Sequence, residues 1–146
     1  MTIPAPVQMH IKSFANGIKI TVANVWQSGR ESGLLDDIIA GRKTIEGRLN
    51  KGKFAQYQVG DRVQLRRDYR DSHGVLHDGE LAVVTVEIIA IRRYDSFMDM
   101  VQAEGYMNVI PAATSTEAAA CEYTKYYAPE DERRFGVLAI EIRVDS

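Results

Sequence analysis

Lys43, Glu46 and Arg48 stand close together in the segment Gly41-Arg42-Lys43-Thr44-Ile45-Glu46-Gly47-Arg48. A lysine acts as a base or nucleophile only when neutral, and burial or neighbouring cations bring its pKa toward working pH. Arg42 and Arg48 are the nearest cations in sequence, whereas Glu46 works the other way by favouring the ammonium. Two readings stay open at this level: a reactive Lys43 beside a carboxylate able to activate water, or a charged Lys43 simply paired to Glu46.

The segment opens a basic stretch. Residues 42–70 hold nine Lys or Arg against three Asp or Glu, a balance of +6 in a chain of formal charge −2, so the remainder carries −8. Such a stripe suits steering of phosphate groups, and equally suits the guarding of strand edges against pairing with other chains. Lys51 and Lys53 read as a phosphate-attracting loop at its periphery.

The elements that must position these residues follow from pattern. "SGLLDDIIAGRK" sets Leu34, Leu35, Ile38 and Ile39 on one helical face, with Ser32 as cap and Gly41 as stop, so a helix delivers Lys43 to a strand start. "TIEGRL" is a short strand with Thr44, Glu46 and Arg48 on one face. "GDRVQLRRDY" is a strand with Val63 and Leu65 inward, and "LAVVTVEIIAIRRY" is rich enough in β-branched residues to be a long central strand. "SFMDMVQAEG" opens on Ser96 and closes on Gly105 as a short helix. "TSTEAAACEYTKYYAP" is a helix capped by Thr114 with Glu117 and ended before Pro129, and "GVLAIEIRV" alternates as a closing strand. "VQMHIKS" and "IKITVAN" around "ANG" suggest an N-terminal hairpin, and "VWQSGRESG" reads as a loop with two glycines. Helices do not alternate regularly with strands, so the expectation is an α+β fold, a small twisted barrel flanked by helices.

The totals fit one domain over 1–146, with 1–30 as an extension and 31–144 as the core. The single Cys121 has no intramolecular disulfide partner, and its place among alanines predicts a buried, inert thiol. No apolar run approaches the ~20 residues of a membrane helix, so no membrane partner and a cytoplasmic location are expected. His73 and His77 flank a turn rather than share a helix face, so neither a metal nor a cofactor is expected.

The pattern G-x-K-x-x-E-x-R at residues 41–48, with the preceding helix, the "VGD" turn, "RRYDSFMDMVQAEG" and the final "GVLAIEI", resembles the ASCH family. The resemblance covers about residues 31–144 and implies a PUA-like pseudo-β-barrel with a cleft between barrel and helices. It also implies nucleoside, nucleotide or RNA as partner, with oligomeric state left open. Some members remove the acyl group from N4-acylated cytidine, one is described as a ribonuclease, and others are read as RNA-binding modules. The matching motif of the bacterial amidohydrolases carries a threonine nucleophile where this chain has Glu46, a glutamate shared with the eukaryotic branch. The resemblance thus implies an amidohydrolase in which Lys43 and Glu46 activate the attack and Arg48 holds Glu46 or the oxyanion. The family's second carboxylate matches Glu104, expected to shuttle a proton and hence to have a raised pKa.

A pyrimidine ring needs an aromatic or apolar wall. Trp26, in its glycine-flanked loop, is the candidate; Tyr123 and Tyr126 at helical spacing read as core. Ser32 and Gly33 offer free backbone N–H groups at a helix start for a phosphate or carbonyl oxygen.

Overall fold

The computed structural model of the chain describes residues 8–13 and 20–145. Six strands, β1 (Gln8–Ser13), β2 (Ile20–Glu31), β3 (Ile45–Leu49), β4 (Arg62–Arg70), β5 (Leu76–Tyr94) and β6 (Val137–Val144), form one sheet in the order β1-β2-β4-β5-β6-β3. Five helices accompany them: α1 (Ser32–Ile39), α2 (Phe97–Glu104), α3 (Tyr106–Val109), α4 (Thr116–Thr124) and α5 (Pro129–Phe135), with a 3-10 turn at Gly52–Gln56. The fold is α+β, but the sheet is open: the expected barrel does not close, and β1 and β3 are its two edges.

β2 and β4 pair in parallel, the single parallel pairing among the described residues, so α1 and β3 form the crossover between them. That crossover carries the signature segment away from its sequence neighbours and adds β3 to the far edge beside β6, with Glu46 opposite Ile140. β1 runs antiparallel to β2, while the "ANG" turn expected between them lies outside the described residues.

Two apolar clusters hold the sheet's two faces. One joins Leu35 and Ile38 of α1 to Val63, Leu65, Ile88 and Ile140; the other joins Phe97, Met100 and Val101 of α2 to Ile45, Leu49, Val137 and Ala139. Strand β6 contributes to both, so its Val137 and Ala139 are buried as well as Leu138, Ile140 and Ile142. The helix face read from sequence is narrower than expected, because only Leu35 and Ile38 of α1 are buried while Leu34 and Ile39 are exposed. Asp61 ties β2 to the turn before β4, accepting from Trp26 Nε1 at 2.9 Å and from the backbone N–H of Asn24 and Gln58.

Helix ends follow local chemistry with one-residue shifts. Ser96 caps α2 as expected, its hydroxyl accepting from Asp99 N at 3.0 Å. α4 is capped by Ser115 rather than Thr114, and α1 by Glu31 rather than Ser32, without a side-chain cap bond in the latter. Pro129 does not merely end α4. It opens α5, where its missing N–H costs nothing at the first helical position.

Candidate functional site

Buried charge is where the site begins. Lys43, Glu46 and Arg30 are each 5–6% exposed, and Arg48 joins them with its head group partly open to solvent. Arg30 Nε donates to Glu46 Oε1 at 2.8 Å, and its NH1 donates to Ser28 Oγ at 2.7 Å and to the Gly29 carbonyl at 2.6 Å. Arg48 NH2 lies 3.6 Å from the other carboxylate oxygen, and its NH1 donates to Tyr127 Oη at 3.5 Å. Glu46 is thus fixed between two guanidinium groups.

Lys43 is held differently. Its Nζ donates to the carbonyls of Ile45 at 2.7 Å and Val109 at 2.5 Å, so β3 and the end of α3 share the ammonium. Burial lowers its pKa to about 8; Glu46 opposes that shift, and Arg30 and Arg48 add to it. Burial alone would raise the Glu46 pKa, but Arg30, Lys43 and Arg48 together outweigh it and bring it down to about 2. At pH 7 Glu46 is therefore ionised and about one Lys43 in ten is neutral.

These groups floor a cavity of about 350 Å³. One wall is Tyr123 and Tyr127, each packed against Phe97 with centroids at 4.2 and 5.0 Å and 6.4 Å from one another; the rim carries the exposed Leu34, Leu76 and Tyr126. Gly47 makes the wall possible, since a Cβ there would come within 2.5 Å of Tyr123 Oη and 2.7 Å of Met100 Cε. The size, apolar rim and few convergent polar groups are those of a small-molecule site.

The family model of the ASCH domain matches residues 33–145, which include Lys43, Glu46, Arg48 and the tyrosine wall but not Arg30. The chain belongs to the ASCH domain family. The hypothetical protein PH0355, known from a crystal structure, is 33% identical with a TM-score of 0.69, covering 83% of this chain and 99% of its own. A second neighbour, the protein PF0455 from Pyrococcus furiosus, solved in solution, is 33% identical with a TM-score of 0.64, covering 82% of this chain and 96% of its own. No curated protein matches the sequence. ASCH domains are associated with RNA or nucleotide binding and hydrolase-like modules.

Of the catalytic and binding candidates read from sequence, Lys43, Glu46 and Arg48 meet in the ASCH cavity, while Glu104, Trp26, Ser32, Gly33, Lys51 and Lys53 do not line it. Glu104 is the main correction. Its carboxylate accepts two bonds from Arg92, both at 2.7 Å, and one from Tyr94 Oη at 2.5 Å. The Arg92 bonds lower its pKa where a proton shuttle needs it raised, and Arg92 also bridges to Glu141 on β6. The group clamps α2 to the sheet. Trp26 lies in β2, not in a loop, and is a core residue 3% exposed. Ser32 Oγ accepts from Arg67 NH1 at 2.5 Å, and Gly33 follows it in the first turn of α1, away from the floor. Lys51 Nζ lies 5.0 Å from the centroid of Phe135, and Lys53 Nζ donates to the Gln27 carbonyl at 2.8 Å; both stand outside the cavity.

Three further departures concern side chains read as core or missed. Tyr123 packs against the second apolar cluster, as its spacing suggests, and also walls the cavity, whereas Tyr126, two residues beyond the end of α4, is 67% exposed on the rim. Cys121 is exposed rather than buried, lying on the outward face of α4 while Ala119 and Ala120 face in. Arg30 has no place in the family signature. Two signals point to it in retrospect: Trp26, Ser28 and Arg30 share one strand face, and a buried Glu46 needs a cation close by.

Proposed function

We propose that the cavity hydrolyses the amide of an N4-acylated cytidine-type nucleoside. The observation that carries this reading is the placement of Lys43 between two carbonyls. When neutral, the amine can give both its hydrogens to Ile45 O and Val109 O, which leaves its lone pair as a preoriented base.

The base takes a proton from water, and the hydroxide forms the new C–O bond at the acyl carbon. The carbonyl oxygen becomes an oxyanion facing Arg48, whose terminal nitrogens make only long contacts of 3.5 and 3.6 Å and so have donors to spare. The Lys43 ammonium returns the proton to the exocyclic nitrogen as the C–N bond breaks, giving cytidine and a carboxylic acid. The pyrimidine ring stacks against the tyrosine wall, and the acyl group points to the apolar rim. Glu46 acts as a counter-ion that fixes Arg48. With a pKa near 2 and its oxygens engaged, it is too weak a base to share the work of Lys43.

Incubation with N4-acetylcytidine tests the reading by release of cytidine, with Lys43→Ala, confirmed folded by circular dichroism, as control. Release by the wild type and a loss of at least a hundredfold in the variant are expected; no release, or equal release, contradicts it.

A second reading, an RNA-binding module or a ribonuclease acting on single strands, draws on the basic stretch of residues 42–70 rather than on the cavity, whose lining sets Arg30, Lys43 and Arg48 against Glu31, Glu46, Asp68 and Glu122. Binding that neutralises several phosphates weakens steeply with salt, whereas turnover of a neutral nucleoside does not.

A further inference from the structure

One charged group on the cavity lining has no part in the chemistry of Lys43. Asp68 stands on β4 beside β2, lines the cavity together with Gly29, and has a side chain only 6% exposed. Arg66 grips it with two bonds, Nε to Oδ1 at 2.7 Å and NH2 to Oδ2 at 3.2 Å, and the Gly79 N–H reaches Oδ1 at 3.4 Å. The bonds from Arg66 hold its pKa below the usual carboxylate range, so Asp68 is ionised at neutral pH.

Two glycines make room for this arrangement. A Cβ on Gly29 would stand 1.9 Å from Asp68 Oδ2, and one on Gly79 would stand 1.8 Å from the Arg67 carbonyl. Neither β2 nor β5 could approach β4 so closely at these points with a side chain there. Each oxygen of a carboxylate can accept two bonds. Oδ1 has both filled, whereas among the described residues Oδ2 takes Arg66 alone and keeps an acceptor site against the cavity wall. The other carboxylates of the lining away from the floor, Glu31 and Glu122, are more exposed and pair with Arg70 at 2.8 Å and Lys125 at 2.9 Å.

In a cytidine the amide on C4 and the sugar on N1 stand across the ring from each other. With the amide at Lys43, the sugar therefore meets a different part of the same cavity. An ionised carboxylate only accepts, so its ligand must bring a donor, and the donors of a nucleoside away from its amide are the sugar hydroxyls. We propose that Asp68 reads the sugar: Oδ2 accepts a hydrogen bond from the 2′,3′-diol of a ribose and makes the cavity select ribonucleosides. The proposal rests on the cavity being a nucleoside site, and it makes Asp68 a specificity-determining residue for that substrate.

The test compares kcat/KM for N4-acetylcytidine with kcat/KM for N4-acetyl-2′,3′-dideoxycytidine. Wild type is expected to prefer the diol on the order of thirtyfold, the range of a hydrogen bond to a charged group. Asp68→Asn is expected to reduce that preference to about threefold or less. Asp78→Asn is the control, because it removes an exposed carboxylate that shares Arg66 at 3.2 Å and does not line the cavity; it is expected to keep the preference. Gly29→Ala, which drives Oδ2 from its place, is expected to reduce the preference as well, and stands in for Asp68→Asn if that variant does not fold. No preference in wild type, or equal losses on both substrates in Asp68→Asn, overturns the proposal. If neither acylated substrate is turned over, the hydrolase reading falls and the proposal is read from calorimetry of cytidine against 2′,3′-dideoxycytidine. Tighter binding of cytidine that is lost in Asp68→Asn then supports it, and equal or absent binding overturns it.

Discussion

Arg30 Nε and Glu46 Oε1 are 2.8 Å apart with both side chains buried, an ion pair that joins β2 to β3 across the floor of the cavity. Arg30→Ala leaves the Glu46 carboxylate buried with only the longer Arg48 contact, and should cost about 3–5 kcal/mol in urea unfolding. Arg30→Met combined with Glu46→Leu should recover part of that loss, because no uncompensated charge remains. Full additivity of the two single variants would contradict the pairing.

Stability should depend on pH in two windows. Glu46 is lowered from 4.5 to about 2, so the unfolded chain binds more protons between those values; the stabilisation is present above pH 4.5 and is lost as pH falls toward 2. Lys43 is lowered from 10.5 to about 8, so again the unfolded chain binds the extra proton between those values, and stability from this residue rises with pH from about 8 to 10.5. Each contribution is on the order of 3 kcal/mol. Urea midpoints across both windows, wild type against Glu46→Gln and Lys43→Met, measure them.

Gly47→Ala should disable the cavity without touching a charge. The new methyl meets Tyr123 Oη and Met100 Cε at 2.5 and 2.7 Å, so the ring must move into the cavity or the strand must shift. A loss of about 1–3 kcal/mol in stability is expected, with a fall in nucleoside affinity greater than tenfold by calorimetry.

Glu104→Gln separates the clamp from the chemistry. Loss of the charged bonds to Arg92 should lower stability by about 1–2 kcal/mol, while turnover of N4-acetylcytidine should remain within about twofold of wild type. A collapse of turnover in a stable variant would return Glu104 to the mechanism.

How much of this was legible in the sequence depends on whether the signal was local. The helix stop at Gly41, the cap at Ser96 and the signature spacing of Lys43, Glu46 and Arg48 are local, and the structure contains all three. The open sheet is not local, since pairing of β3 with β6 joins residues nearly a hundred positions apart. Arg30 escaped because its two glycine-containing flanks look like a loop, whereas pairing with β4 makes the segment a strand and Gly29 gives room for the Asp68 carboxylate. Glu104 was placed by motif order alone, and order does not reveal that Arg92 and Tyr94 project to the same point. Tyr123 and Tyr126 have core spacing, but α4 ends at Thr124 and leaves Tyr126 beyond it, exposed.

The most direct measurement is the pH dependence of kcat/KM for N4-acetylcytidine with the wild-type protein. Lys43 as the base predicts a tenfold rise per pH unit up to about 8 and a plateau above it. A profile flat between pH 6 and 9 would contradict that role, and no release of cytidine at any pH would contradict the hydrolase reading as a whole.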